Sequence, residues 1–259
     1  MTLPQIALTT PTGPADAPLV VLAHSLGTGP LIWERVAPVL SRDARVALLV
    51  LPGHGRAPVP ADPFTLEELA DAVAVAIQES DRGGVRYAGV SIGGALGLTL
   101  ALRHPALFAG VASVASAASL GTAEHWNARA ALVREQSTSA LVAASAKAWF
   151  APDSIANEPE LTGRILRELQ AVSDEGYARC AEALGGYDLR SRLGEISVPI
   201  LAMGGEFDTV APEPRQDEIV AGVPRGRKVM IAGAAHQPPA EQAAAVTAAL
   251  QDFFAEAGR

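Results

Sequence analysis

The sequence predicts a doubly wound α/β sheet, mostly parallel, into which a set of helices is inserted. Three observations carry this. Short apolar runs recur with scarcely a polar residue in them, segments of helical period stand between the runs, and one long stretch, 120–193, shows helical patches but little strand signal. Near-continuous hydrophobicity suits parallel strands covered on both faces. Alternation of such strands with helices is what builds a doubly wound sheet.

Taken in order, the expected strands are 19–23, 46–51, 87–90, 111–114, 200–203 and 228–231. The expected helices between them are 31–41, 66–79, 92–103, 213–221 and 240–255. Inside the interrupting stretch, 125–134, 140–150, 160–172 and 175–184 have helical period, and Pro152 and Pro159 punctuate them. The organisation expected is a core of residues 1–119 and 194–259 with a helical lid at 120–193.

With 259 residues, 49% of them hydrophobic, the chain can bury a sizeable core. A net charge of −8, without clusters of Lys and Arg, speaks against a nucleic-acid partner. An anionic substrate would meet a mildly repulsive field, so a local cation is expected to capture it. Cys180 is the only cysteine, which excludes an internal disulfide, and it lacks the Cys/His spacing of a metal site. The start Met1-Thr2-Leu3-Pro4-Gln5 has no basic segment followed by an apolar one, so no secretory signal is expected. The apolar stretch 87–102 is interrupted by Gly and Ser and short for a membrane span. A cytoplasmic location follows, with no membrane partner, no metal and no organic cofactor. The sequence leaves the oligomeric state open.

The strongest local signal is Gly89-Val90-Ser91-Ile92-Gly93-Gly94, set directly after an expected strand and before an expected helix. It fits the G-x-S-x-G nucleophile elbow of α/β-hydrolases. A serine on so sharp a turn is strained, and its neighbours two residues away must be small to avoid collision. The turn pushes the hydroxyl outward above the helix N-terminus, where the Ile92 N–H is available to an oxyanion. A second donor is expected from the loop His24-Ser25-Leu26-Gly27-Thr28, as the N–H of Leu26.

Serine needs a base to take its proton. The histidines are His24, His54, His104, His125 and His236. His236 follows the last expected strand, on the edge where open α/β sheets assemble their sites. His104 precedes Pro105 at a helix end, His54 sits in the turn Pro52-Gly53-His54-Gly55 and reads as loop-shaping, and His125 falls in the lid, within reach of a substrate. His236 is therefore the expected base. Its imidazole needs a carboxylate to fix the tautomer, and Gly204-Gly205-Glu206-Phe207-Asp208 supplies one after strand 200–203. Asp208 is favoured and Glu206 is the rival. The order Ser91, Asp208, His236 is the α/β-hydrolase order.

Beyond these elements the chain resembles the 3-oxoadipate enol-lactonases. The resemblance rests on His24-Ser25-Leu26-Gly27-Thr28, the elbow 89–94 and Ala235-His236, and more specifically on the lid string Trp126-Asn127-Ala128-Arg129, Val133-Arg134, Trp149-Phe150 and Gly176-Tyr177-Ala178-Arg179-Cys180-Ala181. Where the family often has Asp-Xaa-Arg-Gly-His-Gly, this chain has Val50-Leu51-Pro52-Gly53-His54-Gly55, and Gly185-Gly186-Tyr187-Asp188 is richer in glycine. The resemblance implies hydrolysis of an enol-lactone with a carboxymethyl arm, in aromatic catabolism by the β-ketoadipate route. It also implies a lid cation for that carboxylate, with Arg129 and Arg134 as candidates and Trp126 as a wall. A carboxylesterase or C–C bond hydrolase using the same three residues remains an alternative. So does a ligand-binding module without turnover.

Overall fold

The structure is a computed structural model that describes residues 3–80 and 84–257. Among them seven strands form one sheet: β1 (Ala7–Leu8), β2 (Leu19–Ala23), β3 (Arg45–Val50), β4 (Val85–Val90), β5 (Phe108–Val114), β6 (Ile200–Gly205) and β7 (Gly226–Ile231). Their spatial order is β1-β3-β2-β4-β5-β6-β7. All neighbours run parallel except β1, which pairs antiparallel with β3. β2 and β6 are buried at every position, as their unbroken hydrophobicity requires.

The helices are α1 (Ala37–Leu40), α2 (Leu66–Ser80), α3 (Ile92–Arg103), α4 (Ala123–Gln136), α5 (Val142–Trp149), α6 (Ser154–Asn157), α7 (Pro159–Ala171), α8 (Asp174–Gly185), α9 (Glu213–Gly222), α10 (Pro238–Glu241) and α11 (Ala243–Ala257). α3 is apolar on all sides and therefore has to be surrounded. It packs on β4, β5 and α2, and every residue from Ile92 to Ala101 is buried. Each large side chain so enclosed, such as Leu96 or Leu100, contributes about 1.5–3 kcal/mol. Helices α4 to α8 occupy the stretch between β5 and β6.

Several elements differ from expectation. The helix expected at 31–41 is a 3-10 turn, Pro30–Trp33, followed by α1. Pro38 has no N–H to return to the previous turn, which breaks a continuous helix there. The Trp33 indole, donating to the Ala23 carbonyl at 3.0 Å, pins the first piece separately. The helix expected at 240–255 is likewise two, because Gln242 leaves helical geometry at φ −133°. Glu241 there accepts N–H groups of Ala151 and Ala235 at 2.6 and 2.8 Å, tying the break to neighbouring loops. β1 was not expected, since two residues carry no periodic signal. No helix among the described residues is long and apolar enough to cross a membrane.

Candidate active site

Ser91 sits between β4 and α3 with φ 57° and ψ −114°, a conformation that costs a non-glycine residue about 1–3 kcal/mol. Its surroundings hold it there. The Ser91 N–H donates to Val114 O at 2.8 Å, and its carbonyl accepts from Ala95 N at 2.9 Å and Ser116 Oγ at 2.7 Å. The flanking glycines are required by contact: a Cβ on Gly89 would lie 2.2 Å from the Gly93 oxygen, and one on Gly93 would lie 2.9 Å from the His24 oxygen. The first N–H groups of α3, beginning with Ile92, have no partner within the helix and point their positive end at the elbow.

The loop after β6 brings Asp208 to His236. The imidazole Nδ1–H donates to Asp208 Oδ2 at 2.9 Å, and the other carboxylate oxygen accepts from Val210 N at 2.8 Å and Ala211 N at 3.0 Å. Burial alone would push the Asp208 carboxyl up. The His236 ring and the backbone donors outweigh it, so the group is held below its ordinary range and stays ionised. Its rival Glu206 turns outward and accepts the Gly233 N–H at 2.9 Å instead. α5 holds the other side of the His236 loop, since His236 N donates to Trp149 O at 3.1 Å. His104 pairs with Asp71 at 2.7 Å at the end of α3, far from this contact in role.

Leu26 lies in a tight turn that Thr28 N closes on Ser25 O at 3.1 Å. Gly27 takes the left-handed position of the turn at φ +81°, and a Cβ there would sit 2.6 Å from Leu169 Cδ1. Two buried histidines brace this loop against residues 51–54, and their rings lie 5.1 Å apart. His54 Nε2 accepts the Gly27 N–H at 3.0 Å, while His24 Nε2 accepts the Leu51 N–H at 3.1 Å. Each ring gives its Nδ1–H to a carbonyl, His24 to Ser25 at 2.8 Å and His54 to Pro52 at 2.9 Å. These partners assign the tautomers. In the sequence His54 reads as loop-shaping and His24 has no role of its own; the brace has no local signature.

The brace has a consequence for stability. Burial lowers His24 from 6.5 to about 3, with the His54 charge adding to it, and burial lowers His54 to about 4. Both stay neutral in the fold while the unfolded chain takes up protons near its ordinary value. The stabilisation is therefore complete above about pH 6.5 and is lost as pH falls toward the two folded values. Between about pH 8 and about pH 5 each ring should remove about 2 kcal/mol of stability. Urea midpoints at the two pH values measure this, and a His54→Gln variant should lose less than the native chain. Equal midpoints for the native chain would contradict the brace.

Ser91 and His236 both line a cavity of about 400 Å³, together with Leu26, Trp126, Trp149 and Tyr177 among others. His125 and Arg129 line it too. Arg129 Nε donates to Tyr177 Oη at 2.7 Å, and its guanidinium carbon lies 5.9 Å from the ring centres of both Trp126 and Tyr177. Among the described residues it has no carboxylate partner. Trp126 gives its indole N–H to Leu120 O, which fixes the ring as a wall. Arg134 does not fit its expected role. It is absent from the cavity lining, and Glu175 and Glu182 already engage its guanidinium, which holds its pKa up. Trp149 and Tyr177 line the cavity without having been expected there, although both stand in the residues that carry the family resemblance. Among the described residues no group of three His, Cys, Asp or Glu side chains is placed to hold a metal.

A sequence-family model for the alpha/beta hydrolase fold matches residues 18–242. The chain is 34% identical over 211 residues to the 3-oxoadipate enol-lactonase 2 of Acinetobacter baylyi, covering 81% of this chain and 79% of that one. It is 32% identical over 242 residues to a pimeloyl-[acyl-carrier protein] methyl ester esterase of Neisseria meningitidis, covering 90% and 92%. Among solved structures, the enol-lactonase from Burkholderia xenovorans LB400 superposes with a TM-score of 0.92 at 31% identity, covering 96% of each chain. A family match over that span, joined by relatives so similar along most of their length, makes this chain a member of the α/β-hydrolase family and an ester-bond hydrolase that resembles the 3-oxoadipate enol-lactonases.

Proposed function

We propose that the protein opens a small enol-lactone bearing a carboxylate arm, such as 3-oxoadipate enol-lactone, through an acyl-enzyme on Ser91. One observation carries the reading: in a chain of net charge −8, Ser91 and His236 share a largely apolar cavity with Arg129, a cation without a carboxylate partner among the described residues. A charge so placed suits a substrate carboxylate at one end while the ring carbonyl meets the serine at the other. The kinship with enol-lactonases supports the same substrate class.

In this reading Ser91 Oγ attacks the lactone carbonyl carbon and gives its proton to His236 Nε2. The Leu26 and Ile92 N–H groups receive the oxyanion, each contributing roughly 3 kcal/mol in the transition state. Collapse breaks the ring C–O bond, and His236 returns the proton to the departing enolate. Tautomerisation of that enol to a ketone makes ring opening hard to reverse. Water then gives a proton to His236, attacks the acyl carbon, and releases the acid as the proton passes back to Ser91.

Ring opening of 3-oxoadipate enol-lactone, followed beside hydrolysis of a neutral aryl ester, tests the reading. The lactone should be preferred in kcat/KM by roughly a hundredfold. Preference for the neutral ester would leave a carboxylesterase, the chemistry named for the Neisseria relative. Arg129→Gln should raise KM for the lactone by about tenfold or more while changing KM for the neutral ester little, as expected for one lost charge-assisted contact. Equal effects on both substrates would remove Arg129 from carboxylate recognition.

A further inference from the structure

Donors converge on a single backbone atom of the loop that carries Leu26. The Ser25 carbonyl oxygen receives His24 Nδ1–H at 2.8 Å, Thr28 Oγ1–H at 3.0 Å and Thr28 N–H at 3.1 Å. One partner already satisfies a buried carbonyl, so the surplus asks for a reason. A peptide group is a rigid plane in which the trans arrangement points C=O and the following N–H in opposite directions. The group that these donors hold joins Ser25 to Leu26. Fixing its oxygen from behind therefore aims the Leu26 N–H forward, and Leu26 lines the cavity with Ser91. Hydrogen bonds to the oxygen also polarise the amide and strengthen its N–H as a donor.

We propose that His24 and Thr28 are positioning residues that clamp the Ser25 carbonyl, so that the Leu26 N–H is aimed and polarised before substrate arrives. The proposal rests on the reading in which Leu26 serves the oxyanion formed at Ser91. Both clamping side chains are themselves fixed. His24 is fully buried and its far nitrogen is occupied by the Leu51 N–H at 3.1 Å. Thr28 Oγ1 also lies 3.0 Å from Ser25 Oγ, which takes a hydrogen bond from the Gln237 amide at 2.9 Å. Gln237 follows His236, so the network reaches from the oxyanion loop to the loop of the base. Reorganisation during reaction is thereby reduced, which is where such donors draw most of their effect.

Three substitutions separate a clamp from general structural support. His24→Asn keeps a donor near Nδ1 and gives up the acceptor for Leu51. His24→Gln keeps the acceptor near Nε2 and gives up the donor. Thr28→Val removes one donor at nearly constant shape. Turnover of p-nitrophenyl acetate and inhibition by phenylboronic acid, a mimic of the tetrahedral adduct, are the readouts. His24→Gln and Thr28→Val should each lower kcat by roughly tenfold to a hundredfold with KM changed less than about twofold, and should weaken the boronate by a similar factor. His24→Asn should recover at least about tenfold over His24→Gln. The clamp is overturned if Asn and Gln fall alike, or if Thr28→Val keeps native kcat and boronate affinity. Should a His24 variant fail to fold, Thr28→Val decides alone. Ser91→Ala separates the two levels: activity surviving that change defeats the underlying reading, whereas its loss beside a native Thr28→Val defeats only the clamp.

Discussion

Ser91→Ala is expected to lower kcat by roughly 10⁴- to 10⁶-fold while the folded protein keeps its stability within about 0.5 kcal/mol. The two halves of this expectation have separate causes. Alanine retains the Cβ, so the strained backbone at φ 57° and the bonds from Val114, Ala95 and Ser116 persist unchanged. Only the oxygen is removed, and without it the proposed acyl-enzyme cannot form. Steady-state kinetics and a thermal melt on the same preparation measure both. A large fall in melting temperature would mean that the elbow depends on the hydroxyl for more than chemistry.

Asp208→Asn should lower kcat by about 10⁴-fold. The carboxylate has one oxygen committed to the Val210 and Ala211 N–H groups and the other to His236 Nδ1–H. An amide can keep its oxygen toward the two backbone donors, which turns its NH₂ toward the ring. His236 can then accept only by placing its proton on Nε2, and that nitrogen is no longer free to take a proton from serine. Loss of the ionised partner also removes what would stabilise the imidazolium in the proposed reaction. Glu206→Gln should leave kcat within about twofold, because that carboxylate faces Gly233. Reversed sensitivities would exchange the two acids.

Much of this arrangement was legible in the residues because the signals are local. The elbow places Ser91 by its own glycines, strand 19–23 ends where its apolar run ends, and the Asp208 and His236 loops each follow a strand that hydrophobicity alone marks. The order of the three along the chain added a constraint that no one of them carries. What could not be read depends on which way a helix face turns. Arg129 and Arg134 are five residues apart on α4, about 140° around the helix, so at most one can face a given cavity. α8 decides between them by offering Glu175 and Glu182 to Arg134 and the Tyr177 ring to Arg129. The brace of His24 and His54 was hidden for a similar reason: the two hydrogen bonds that tie one loop to the other each join residues 27 positions apart.

The proposed reaction depends on one serine being activated by one histidine. Treatment with a fluorophosphonate followed by peptide mass spectrometry tests that link directly. One adduct per chain on Ser91 is expected in the native protein, with labelling slowed by at least about a hundredfold in His236→Ala. An adduct on another serine, or equal labelling rates in the two proteins, would contradict it.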